Sequence, residues 1–189
     1  MKKPSFYISC PFDTYSGYGA RSRDIVKAII ELDKYDVKLL SQRWGNTPFG
    51  FTEDHDDWRF LNDLRVQGVA QGQKPDIWMQ ITIPSEFAPV GKFNIGCTAG
   101  IESTGCDHTW IEGLNRMDMN WVSSKHSKKV FTEVGFEQRD QQGRTTGHVL
   151  KSQKPIHVVF EGANLNVYKH LPSSEVTLDL SAVKESFNY

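Results

Sequence analysis

The chain has 189 residues, 22 of them Lys or Arg and 23 Asp or Glu, with a formal charge of −1 and a pI near 6.6. That length supports one good core, or one domain and the start of another, but not two full α/β domains. The near-neutral balance excludes the broad basic surface that wholesale nucleic-acid binding needs, so no nucleic-acid partner is expected.

Cys10, Cys97 and Cys106 are an odd number without C-x-x-C or His-paired ligand spacing. Neither a disulfide framework nor a zinc site is indicated, and a reducing compartment fits. Lys2 and Lys3 precede too short an apolar run for a secretory signal, and no stretch reaches membrane-spanning length. The expectation is a soluble cytoplasmic protein.

Phe6, Tyr7 and Ile8 predict a short strand that Pro11 ends, because proline has no N–H for a ladder. Gly17 and Gly19 follow; without a Cβ they permit positive φ and a close approach of ligand to the main chain. Ile25, Val26, Ala28, Ile29 and Leu32 fall at helical spacing, which starts a helix at about Gly19 with Ser16 as its N-cap. First-turn amides without partners carry partial positive charge and suit a phosphate or a carboxylate. Two readings of the loop stand side by side: an anion cradle, or a tight strand-to-helix connection. It is neither G-x-G-x-x-G, since Ser22 holds the third position, nor a P-loop.

Val37 to Leu40 predict a second strand, and residues 42–52 a loop carrying Trp44, Phe49 and Phe51, aromatics that pack against the domain or face a sugar ring. Residues 54–66 read as a short amphipathic helix, and 75–83 as a strand apolar on both faces, the pattern of a parallel-sheet interior. Residues 92–101 alternate as a further strand, followed by Glu102, Ser103, Thr104 and Gly105. Asp107 reads as the N-cap of a helix with Trp110, Ile111, Leu114 and Met117 on one face. Glu102 thus sits past a strand's carboxyl end, the edge where open α/β sheets bind ligands.

Residues 119–122 predict another strand, and Ser123 or Ser124 caps a helix to Val134. Lys125, His126, Lys128 and Lys129 on it read as a solvated face. Residues 138–154 are polar and aperiodic, a mobile surface loop. Residues 156–160 give the last strand, ending in Glu161, Gly162, Ala163 and Asn164. Alternating strands and helices predict an α/β fold, a Rossmann-like parallel sheet with helices on both faces. Leu171 to Ser174 read as a linker; Val176, Leu178, Leu180 and Val183 then lead to Phe187, Asn188 and Tyr189, the start of a further strand. Residues 1–170 are therefore expected to form the domain, and 171–189 a linker and the start of a missing carboxyl-terminal domain.

Three segments, S-G-Y-G-A-R-S-R at 16–23, the run from Ile101 to Phe131, and P-I-H-V-V-F-E-G-A-N-L-N-V-Y at 155–168, carry a resemblance covering about residues 4–170. In them the chain resembles the amino-terminal domain of GT-B glycosyltransferases of the retaining family 4 type. The resemblance implies transfer of a sugar from a nucleotide-sugar donor to the hydroxyl of an acceptor glycan or small molecule, without a metal or other cofactor. It implies that backbone amides of Gly17, Tyr18 and Gly19 meet the donor diphosphate, and that Glu102 and Ser103 border the acceptor or sugar. Where family members often carry a histidine this chain has Glu102, so no catalytic residue is assigned; Asn164 replaces the usual aspartate of the terminal turn. The family's E-x7-E motif and its basic residue belong to the carboxyl-terminal domain and have no equivalent here. The chain alone is expected to transfer sugar poorly or not at all unless a second chain supplies that domain. Arg21 and Arg23 lie near enough to aid the leaving diphosphate, although their positions read first as a solvated helix face. The alternative is a catalytically inactive Rossmann-like binding or scaffold module. A dinucleotide oxidoreductase lacks its fingerprint and the acidic residue after strand two, and a hydrolase lacks G-x-S-x-G.

Overall fold

Strand β1 (Ser5–Cys10) is the pivot of the sheet, pairing in parallel with β2 (Asp36–Ser41) on one side and β3 (Ile77–Ile81) on the other. A computed structural model describes residues 2–140, 142–175, 179, 181, 182 and 184. Beyond β3 come β4 (Phe93–Thr98), β5 (Met119–Val122) and β8 (Ile156–Val158), each parallel to its neighbour, in the order β2-β1-β3-β4-β5-β8. Connections leave β1 toward opposite sides, so the order reverses between β1 and β3. One row of paired residues, Leu39, Ile8, Met79 and Ile95, crosses four strands and is fully or nearly buried.

Pleating divides the strand residues between two cores. Phe6, Ile8, Cys10, Met79, Ile81, Ile95 and Cys97 pack on one face with Val26 and Ile29 of α1 (Gly17–Glu31). On the other face Trp78, Val122 and Ile156 meet Ile111 and Leu114 of α3 (His108–Arg116) and Phe131 of α4 (Lys125–Glu133). The fold is therefore α/β, a Rossmann-like parallel sheet with helices on both faces. Asp107 and Ser124 cap α3 and α4 by accepting from the amides of Thr109 and Ser127.

Three segments differ from expectation. Residues 54–66 form not one amphipathic α-helix but the end of a single turn, α2 (Phe51–Asp54), and a 3₁₀ run over Asp56–Leu64, with Leu61 buried. The stretch expected as a mobile loop, 138–154, is in part a ribbon: β6 (Phe136–Arg139) and β7 (Thr145–Leu150) pair antiparallel. Its strands are exposed except near Phe136 and Leu150, so neither face imposes alternation and the pattern left no trace in the sequence. Arg21 and Arg23 are not a solvated face; both are buried within α1's contact with the domain. Residues 176–178, 180, 183 and 187–189, on which the further strand was expected, lie outside the described residues.

Candidate functional site

The connection from β1 to α1 is held rigidly before any ligand is considered. Past Pro11 the chain turns, with the Thr14 amide and hydroxyl both donating to the Pro11 carbonyl at 3.0 and 2.8 Å. Asp13 is buried and accepts from the Thr52 amide at 3.0 Å, the Thr52 hydroxyl at 2.7 Å and Arg65 at 2.8 Å. Burial works against the Asp13 carboxylate, but these donors outweigh it and hold its carboxyl below the usual range. The segment after β2 is thereby tied to the loop.

Ser16 ends the turn in extended geometry, and its side chain accepts from the Gly19 amide at 2.9 Å while its carbonyl takes the Ala20 amide. The helix therefore begins at Gly17, two residues before the expected start. Gly19 serves packing: a Cβ there would stand 2.4 Å from the Thr14 carbonyl oxygen. Neither Gly17 nor Gly19 has positive φ, so the conformational freedom expected of them is not what the loop uses. Among the described residues the Gly17 and Tyr18 amides make no hydrogen bond, and a Cβ on Gly17 would meet nothing within 4 Å. These two amides are the open end of the helix dipole.

Gly17 and Tyr18 line a cleft of about 660 Å³ bounded by α1, Trp44, Ala99 and residues 159–162, a size within the range of roughly 300–1,000 Å³ usual for small-molecule sites. Tyr18 crosses to the carboxyl end of β4, where its hydroxyl lies 3.0 Å from the Thr98 hydroxyl and accepts from the Ala99 amide at 3.1 Å. Burial pushes the Tyr18 phenol up, against the pull of those bonds, which keeps it neutral. Trp44 stacks on the Tyr18 ring, centroids 3.9 Å apart and 22° from parallel. Arg21, with its side chain 7% exposed, donates from Nη2 to the Val159 carbonyl at 2.8 Å and meets the Glu161 carboxylate at 3.2 Å. Cys97 lies close behind it: burial pushes that thiol up to about 11, with the Arg21 charge pulling the other way. Amides, a guanidinium and an aromatic pair suit a ligand that combines an oxyanion with a ring.

The expected site residues are thus divided. Gly17 and Tyr18 line the cleft with open amides, and Gly19 stands behind them with its amide taken by Ser16. Glu102 and Ser103 are exposed and outside the cleft lining. The Ser103 hydroxyl donates to the Gly105 carbonyl at 2.7 Å, and its carbonyl lies 3.1 Å from His126 Nε2 at the start of α4. Sequence reasoning undervalued Arg21, which carries the cleft's cation; its nearness to the glycine loop was the available signal. A second cleft of about 570 Å³ at the sheet's amino edge is lined by Lys2, Lys3, Lys74 and Asp76, but Asp33 holds Lys3, and Lys92 with Ser5 holds Asp76. Among the described residues no helix is long and apolar enough to cross a membrane. No family model matches the chain, and no curated protein or solved structure matches it. Fold and cleft together define a Rossmann-like α/β domain whose first helix presents two open amides beside a buried arginine.

Proposed function

We propose that this chain is the acceptor-side, amino-terminal lobe of a GT-B type glycosyltransferase using a nucleotide-sugar donor. The observation that carries the reading is the pair of unpartnered amides at Gly17 and Tyr18, two residues that line a ligand-sized cleft. Displacement of a nucleoside diphosphate by an acceptor hydroxyl builds negative charge on the leaving group. Helix-end amides and Arg21 stabilise that charge without a metal ion. The Tyr18–Trp44 stack offers an apolar ring surface to a sugar or a base, and in this reading Glu102 and Ser103, past the end of β4, border the acceptor. A second lobe completes donor binding and turnover.

A binding-only module is the second reading. It keeps the cleft, whose lining includes one guanidinium, the carboxylates of Asp24 and Glu161 and aromatic rings, and drops the chemistry. Calorimetric titration of the chain with nucleoside diphosphates and nucleotide sugars tests the first reading. Weak binding, millimolar or above, agrees with a half-site, and micromolar affinity contradicts a main donor pocket on another lobe. Sugar transfer on adding a candidate second lobe separates enzyme from module.

A further inference from the structure

The cleft's cation and its counter-ion are held in very different ways. Arg21 is enclosed in the fold, fixed through Nη2 to the Val159 carbonyl, and its Nε has no partner. Glu161 is 57% exposed and reaches Nη1 through one contact at 3.2 Å. Among the described residues, 160–163 make no backbone hydrogen bond; the polar ties of this stretch to α1 are the Val159 carbonyl and the Glu161 carboxylate, both on Arg21. Asp24, one turn along α1, also lines the cleft. The cleft therefore sets two carboxylates against one guanidinium, and a diphosphate enters against net repulsion unless one carboxylate leaves. Asp24 is within a helix; Glu161 is on a segment that, among the described residues, has no backbone hydrogen bond.

We propose that Glu161 is a resident counter-ion, occupying on Arg21 the seat that a ligand phosphate takes, and that it swings away on binding. Arg21 becomes a ligand-binding residue only then, and Glu161 sets the affinity threshold that a phosphate group overcomes. This rests on the reading that the ligand of this cleft carries a diphosphate.

The test is calorimetric titration of the full chain, wild type, Glu161→Gln and Asp24→Asn, with inorganic pyrophosphate and with UDP as probes. Glu161→Gln, a change at an exposed side chain, is expected to tighten both probes about tenfold, and Asp24→Asn to change them by less than about threefold. Equal affinities in wild type and Glu161→Gln overturn the counter-ion role and leave the anion cleft intact. A gain in Asp24→Asn matching that in Glu161→Gln also overturns it, since the effect is then one of net charge alone. Tightened pyrophosphate with UDP no better than pyrophosphate keeps the role of Glu161 and removes the nucleotide. No binding of either probe by any variant removes both.

Discussion

Arg23 lies over the ring of Phe51 with its guanidinium carbon 3.4 Å from the ring centroid, while Nη1 donates to the carbonyls of Phe12 at 2.8 Å and Thr14 at 3.0 Å. One buried side chain therefore joins three parts of the sequence: the loop after β1, the first helix and the start of α2. Burial lowers its pKa to about 10, which leaves it charged at neutral pH. Arg23→Lys keeps the charge and loses the planar fork that serves two carbonyls and the ring together. It is expected to destabilise the domain by about 2 kcal/mol, read by urea denaturation. A loss within experimental error of zero would show that the fork is dispensable.

The two glycines of the loop are expected to respond oppositely. Gly19→Ala drives a Cβ to 2.4 Å from the Thr14 carbonyl oxygen and 2.8 Å from its hydroxyl, backbone that Pro11 and Arg23 already hold. Thermal unfolding should fall by the equivalent of about 2 kcal/mol or more. Gly17→Ala enters open space at the first helical position and should leave stability unchanged or raised by up to about 1 kcal/mol. Gly17 is therefore the cleaner probe of ligand approach, because a weakened ligand there cannot be assigned to a damaged fold.

Much of the architecture was legible because its physics is local. Ser16, Asp107 and Ser124 precede helical periodicity and cap what they were expected to cap, and parallel strands buried on both faces show as apolar runs. The arginines of α1 were misread through residue type. Arg23 falls on the stripe Gly19, Ser22, Arg23, Val26, Ile29, at the spacing that buries a helix face, but its partners are main-chain carbonyls and the ring of Phe51, twenty-eight positions away. Arg21 is buried by the chain after β8, a long-range contact with no local pattern. The ribbon of β6 and β7 escaped notice because both of its faces are largely exposed and carry no hydrophobic period.

Asp13 makes a pH-dependent contribution with a defined sign. Its folded pKa lies below the unfolded value, so its stabilisation is complete above about pH 4 and is lost as pH falls through the folded pKa. Asp13→Asn should lower stability at pH 7 by about 2 kcal/mol and flatten the stability profile on the acid side. Parallel profiles for wild type and variant below pH 4 would assign the acid sensitivity to other carboxylates.

A ligand phosphate is expected to meet the open amides at the start of α1. Backbone amide NMR of the full chain titrated with UDP tests it most directly. Saturable shifts are expected, concentrated at Gly17 and Tyr18, with Arg21 following and a dissociation constant in the millimolar range, together with their loss in Gly17→Val. Shifts confined to the lysines of the amino edge, or a titration that leaves Gly17 and Tyr18 unmoved, would contradict it.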